Sequence, residues 1–230
     1  MIRRFRALLA GERREDGLTL VELLVAMGLF AVLLAIVGGT FYSITRATTF
    51  AAARDQNSRT ASNAVNEIVR KVRAAADNPR VGASDSPAFV SAGQSTMQFT
   101  TLVATGRDAT PQQVTFTVGA DGTLTEKVVP GSTTDNAYYT FAAAGTSSTI
   151  ASSIELPASG GTPVFQYLTA DRVALTPNAA GFLTTDQTGQ IAFVTVTLRT
   201  SSSASTLKNG ITLQNTIGLP NLLEPTGAST

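Results

Sequence analysis

The residues best placed to do chemistry lie close to the start of the chain. Glu22 is the one charged residue in positions 18–45, a stretch that is otherwise apolar or weakly polar. A carboxylate inside a membrane-length apolar segment costs about 2.5–3.5 kcal/mol on insertion scales, so it is a functional candidate by default. Gly17 lies five residues before it and closes a charged leader that ends Arg14-Glu15-Asp16-Gly17. Each has a plainer reading: a loop glycine ahead of a helix, and a glutamate solvated at the membrane–water interface. The favourable placement of an acid near a helix N-terminus applies under either reading.

Catalytic chemistry has little to stand on. The 230 residues contain no Cys and no His. This excludes disulfides, thiol nucleophiles, Ser-His-Asp and Cys-His machinery, and most zinc chemistry. No Ser-x-x-Lys spacing carries weight, and Asp108 and Asp121 are surface acids of the kind that hairpin turns favour. Asp121-Gly122-Thr123 reads as a turn rather than a calcium loop. The expectation is a non-enzyme with no catalytic residue, no metal and no cofactor.

The elements that position Gly17 and Glu22 follow from the charge pattern. Residues 1–17 carry five arginines (Arg3, Arg4, Arg6, Arg13, Arg14) and three acids. Residues 23–45 carry no charge at all. As a helix, that stretch is about 35 Å long, enough to cross a hydrocarbon core of about 30 Å with some tilt. The basic leader orients it with the N-terminus in the cytoplasm and the remaining chain outside. A cleaved secretory signal has an apolar region of about 7–15 residues, shorter than this one, although Ala35-x-Val37 is an acceptable cleavage sequence. A plain membrane anchor, and an anchor whose leader is removed, both fit.

The junction Gly17-Leu18-Thr19-Leu20-Val21-Glu22, at the head of the single apolar span, resembles the class III signal of type IV prepilins and type II secretion pseudopilins. The resemblance covers about 30 residues. It implies that prepilin peptidase cuts after Gly17 on the cytoplasmic face and that Leu18 becomes an N-methylated N-terminus. It also implies that Glu22 pairs with the N-terminal ammonium of a neighbouring subunit during fibre assembly.

The helix is expected to continue past the membrane. No Pro or Gly interrupts residues 46–77, alanine is frequent, and Val65, Ile68, Val69 and Val72 form one apolar stripe. Pro79 is the expected terminator, giving a helix over 19–77 roughly 90 Å long. Gly38-Gly39 falls where many major pilins carry a helix-breaking Pro. The pair weakens the helix by about 2 kcal/mol relative to alanine and predicts a bend or melting on packing into a filament. A close-packing role is the plainer reading.

Residues 80–230 read as an all-β head. The hairpin is clearest where Val114, Phe116 and Val118 alternate, residues 119–122 turn, and 124–129 return. Further strands are expected at 96–103, 164–168, 191–200 and 210–216, the third of them with a bulge or buried on both faces. Loops are expected at 130–136, 142–153, 158–163 and 201–205. The fold class is therefore α+β: a long N-terminal helix, membrane-spanning in its first half, packed by its second half on an antiparallel sheet, the lollipop of pilin-like proteins. The divisions are a cleaved leader (1–17), a transmembrane and assembly helix (18–45), an amphipathic continuation (46–79) and the head (80–230). The hairpin and the late strand pair resemble those of the larger minor members, J-type pseudopilins and W-type minor pilins.

The resulting expectation is a structural subunit, a minor pilin or pseudopilin of a type IV pilus, type II secretion or competence system. It would reside in the cytoplasmic (inner) membrane and then in the fibre. Its expected partners are prepilin peptidase, other pilins through the N-terminal helix, the inner-membrane assembly platform and the lipid bilayer. The basic stalk (Arg46, Arg54, Arg59, Arg70, Lys71, Arg73) would meet lipid head groups or acidic faces of neighbours. The head carries three more acids than bases, which disfavours nucleic acid. The alternatives are a single-span anchored binding domain outside the cytoplasm with no fibre role, and a secreted hydrolase.

Overall fold

The computed structural model describes residues 19–104, 109–134, 137–142, 144–158, 160–200 and 210–223. The chain divides into two units, residues 1–51 and 52–230. Helix α1 (Leu20–Arg73) contributes to both. Shorter helices α2 (Thr185–Thr188) and α3 (Pro220–Leu223) follow later in the chain.

In the first unit, α1 is exposed all round: every residue from 20 to 49 is solvent-facing. Sixteen large apolar side chains between Leu20 and Ile44 are more than half exposed. This helix is long and apolar enough to cross a membrane. Its threonines are compatible with an apolar setting because their hydroxyls bond back to the helix. Thr40 Oγ1 donates to Ile36 O, Thr45 Oγ1 to Phe41 O and Thr49 Oγ1 to Thr45 O, each at 2.9 Å.

In the second unit, α1 changes character. Ala61, Ala64, Val65, Ile68 and Val72 are buried, and Val69 is partly buried against the same core. The expected apolar stripe is thus the face that closes the core. The helix ends at Arg73, earlier than Pro79 would require. Ala75 bridges Thr101, Ala76 N–H donates to Thr100 O at 3.1 Å, and Leu102 N–H donates to Ala74 O at 2.9 Å. Backbone pairing to a strand satisfies the groups that three alanines would otherwise have placed in another helical turn, overriding their propensity.

The strands are β1 (Asn78–Arg80), β2 (Ala83–Ser86), β3 (Phe89–Ala92), β4 (Thr96–Ala104), β5 (Ala109–Val118), β6 (Leu124–Pro130), β7 (Thr146–Ala151), β8 (Phe165–Leu168), β9 (Phe193–Thr200) and β10 (Ile211–Gly218). They form three antiparallel sheets with orders β1-β2, β3-β4-β5-β6-β7 and β10-β9-β8, rather than a single sheet. The expected hairpin is β5–β6, closing on the pair Val118↔Leu124. β4, β8, β9 and β10 stand where the alternating runs placed them. β9 pairs with β10 without a register shift, and Val194, Thr195 and Val196 are all buried, so it is covered on both faces rather than bulged. β7 falls inside the stretch read as a loop at 142–153. The expected loop at 201–205 lies outside the described residues.

One core unites helix and sheets. Phe89, Phe99, Phe116, Phe165 and Tyr167 are each at most 1 % exposed. Phe99 stacks on Phe116 at 6.1 Å, and Phe89 lies 5.5 Å from Phe99. Tyr167 donates its hydroxyl to Gly93 O at 2.9 Å, which satisfies the polar end of a buried ring.

Candidate processing and assembly site

The start of α1 is a reciprocal cap. Glu22 N–H donates to Thr19 Oγ1 at 3.2 Å. In return, Glu22 Oε2 accepts from Thr19 N–H at 3.3 Å and from the Thr19 hydroxyl at 3.1 Å. Leu23 N–H donates to Thr19 O at 3.2 Å, the first helical backbone bond. Thr19 is therefore the N-cap and Glu22 the third helical residue, the spacing of a capping box. The pair satisfies backbone donors that a helix start leaves open, and it places the carboxylate at the positive end of the helix.

The sequence reading singled out Glu22 but not Thr19. A signal was available in the threonine three residues ahead of the glutamate. Gly17 and Leu18, on either side of the expected cut, lie outside the described residues, as does the whole leader. Gly38 and Gly39 lie within unbroken α1, and a Cβ at either would meet nothing within 4 Å. Among the described residues, neither glycine is required for a close contact.

Three of the six basic stalk residues already have acidic partners. Arg59 pairs with Asp55 at 2.9 Å, and Arg70 donates from Nε to Glu67 Oε2 at 3.1 Å. Lys71 is buried, with its Nζ 3.6 Å from Glu126 Oε1. Glu126 faces the helix because Leu124, Glu126 and Val128 alternate onto the core side of β6. Burial raises its carboxyl above the ordinary glutamate value, Lys71 opposes that rise, and nearby Glu67 adds to it. Lys71 is thus not available to lipids or neighbouring subunits.

Elsewhere, Asp121 accepts from the backbone N–H and hydroxyl of Thr123 at 3.0 and 2.8 Å. These bonds hold its carboxyl below the usual range, as a turn aspartate does. Asp108 lies outside the described residues. A cleft of about 410 Å³ opens beside β9 and β10, lined by Glu155, Val164, Thr197, Arg199, Thr212 and Gln214 among others. Arg199 and Glu155 form a loose ion pair there, 4.0 Å apart and largely exposed.

Residues 13–38 match the family model of the prokaryotic N-terminal methylation motif, the type IV prepilin and pseudopilin signature. The match spans Gly17, Leu18, Thr19, Glu22 and Gly38. No curated protein and no solved structure matches this chain. The chain carries the methylation motif at the head of a long apolar helix, followed by antiparallel sheets, and is pilin- or pseudopilin-like in that respect.

Proposed function

We propose that the chain is a minor pilin or pseudopilin, made as a membrane-inserted precursor and assembled into a fibre through its N-terminal helix. Residues 1–17 are its leader, 18–45 its membrane and assembly helix, 46–79 the stalk and 80–230 the head. Prepilin peptidase cuts between Gly17 and Leu18 and methylates the new N-terminus. Glu22 then neutralises the ammonium of a neighbouring subunit, which lowers the cost of withdrawing both charges into an apolar bundle. The system served is a type IV pilus, type II secretion or DNA uptake. The head faces away from the cytoplasm and contacts other subunits.

The observation that carries this reading is the methylation motif at the head of a helix whose apolar surface has no partner among the described residues. An exposed apolar area of this extent requires lipid or protein cover. The deciding experiment is the N-terminal mass of the membrane-extracted native protein beside a Gly17→Ala variant. A start at Leu18 with one added methyl, and an uncut precursor in the variant, is the expected result. A start at Met1 in both overturns the assembly mechanism. That result would instead favour an anchored binding domain, a reading to which the cleft beside β9 and β10 lends some support.

A further inference from the structure

We infer that the free edge of β10 is a docking surface for a second copy of this chain, joined strand to strand across a two-fold axis at Asn215. The inference goes beyond the fibre reading and does not depend on processing at Gly17.

The backbone supplies the first observation. β10 pairs with β9 along its whole length, with Gln214 opposite Thr197 and Thr212 opposite Arg199. Thr197 N–H donates to Val164 O at 2.8 Å, and Arg199 O accepts from Glu155 N–H at 2.7 Å, both on the side of β9 away from β10. In an antiparallel pair, opposite residues either bond to each other or both turn away. Thr212 and Gln214 therefore turn their N–H and C=O groups outward, and alternation adds Thr216 and Gly218. Among the described residues, no strand or bridge pairs with this row.

The side chains supply the second observation. Sheet edges are commonly guarded by charge, proline, a bulge or a short strand. The eight residues of β10 have no charge and no proline, and they keep register with β9 throughout. Leu213 packs against the core yet stays only half-buried at this edge. The other edges are less open. β3 is met by Leu183 N–H on Ala92 O, and β8 by Leu175 N–H on Tyr167 O. β7 shifts register against β6 and exposes only hydroxyl side chains over 146–149.

A row of outward N–H and C=O groups recognises another extended backbone, and β10 is its own complement. Laid antiparallel on itself about Asn215, it brings outward residue to outward residue. Thr212 of one copy faces Gly218 of the other, and Gln214 faces Thr216. On the core side Leu213 faces Ile217, which covers the half-exposed leucine. No charge on β10 opposes the contact. The two three-stranded sheets become one continuous sheet, and both edges are removed.

The test uses the full chain extracted from membranes in detergent, and it exploits the absence of native cysteine. At the two-fold axis Asn215 meets its own copy at a non-hydrogen-bonded site, where Cα atoms lie about 4.5 Å apart, within disulfide reach. Asn215→Cys is expected to give a reducible dimer under mild oxidation, several-fold more than Thr149→Cys on the exposed edge of β7. Adding Gln214→Pro to Asn215→Cys removes an outward N–H, which an edge strand tolerates. The near-UV circular dichroism of the head is expected to persist and the dimer to fall to the Thr149→Cys level. Equal yields at the two edges, or a dimer that survives Gln214→Pro in a folded head, overturn the inference. So does an Asn215→Cys thiol that is shielded from maleimide yet forms no dimer, because a different partner or another segment of the chain then covers the edge. If Gln214→Pro unfolds the head, the contrast between the two cysteine positions decides alone.

Discussion

The two parts of α1 obey opposite rules within one element. From residue 20 to residue 49 nothing is buried, although the side chains are mainly apolar. From Ala61 to Val72 a narrow stripe is buried, and apart from the half-buried Val69 the rest is polar. The second part is stabilised as an ordinary surface helix is, by packing one face onto a core it shares with the sheets. The first part has no such support among the described residues, and the proposed function supplies it from lipid or from other subunits. Helix propensity and local hydrogen bonds are common to both. The difference lies in where the apolar contacts are found.

The sharpest way to break this comparison is to truncate equivalent aliphatics in the two parts. Ile68→Ala removes a fully buried side chain and is expected to cost about 3–4 kcal/mol. Leu33→Ala removes one that is 60 % exposed, and its expected cost is within about 0.5 kcal/mol. Urea unfolding of the detergent-solubilised full chain, followed by near-UV circular dichroism from buried Tyr167, reads both. Equal losses would mean that the first part contributes to the same cooperative unit.

The next effect concerns the ion pair beneath the buried stripe. Lys71→Met strands Glu126 on the core side of β6. The expected loss is about 2–3 kcal/mol, at the lower edge of what breaking a buried pair usually costs, because Glu126 can take up a proton. Changing both partners, Lys71→Met with Glu126→Leu, should recover most of it. The pH dependence has a definite sign. Burial lifts the Glu126 carboxyl, so the folded chain holds that proton more tightly than the unfolded chain. The contribution is fully present below the unfolded value and is lost as pH rises through the folded value. Glu126→Gln should flatten stability across that window, and an unchanged slope would assign the slope to another carboxylate.

Much of this was legible in the sequence, for local reasons. The β5–β6 hairpin announces itself because three alternating apolar residues run into a glycine-bounded turn, and Val118↔Leu124 follows from that turn. The buried stripe of α1 was legible from helical spacing, and the apolar span from its lack of charge. What stayed hidden depended on partners distant in sequence. β7 is a run of hydroxyl residues with almost no apolar alternation, held as an edge strand by β6. The end of α1 is decided by β4, and the Lys71–Glu126 contact joins residues on different elements. The split into separate sheets left no periodic trace. At the candidate site, Glu22 stood out as a lone charge, whereas Thr19 entered only as one position of the junction motif, although its place three residues ahead of Glu22 already had capping-box spacing.

The smallest effect tests whether the exposed part of α1 keeps one conformation. Gly38 and Gly39 are helical here, and a Cβ at each has open space around it. Alanine at both positions therefore adds about 2 kcal/mol of helix preference with no steric cost. The neighbouring threonine makes local melting less costly than it first looks. Thr40 Oγ1 already donates to Ile36 O at 2.9 Å, so that carbonyl keeps a donor if the Thr40 N–H is withdrawn. An apolar environment penalises an unpaired carbonyl, and this second donor reduces the penalty. If assembly melts the helix here, Gly38→Ala with Gly39→Ala should leave head unfolding unchanged and lower the fibre yield several-fold. If the helix stays intact in the fibre, the double variant should assemble at least as well as the wild type. A fibre reconstruction decides at the level of structure: continuous helical density through Gly38 would assign the two glycines to close packing between neighbouring helices instead.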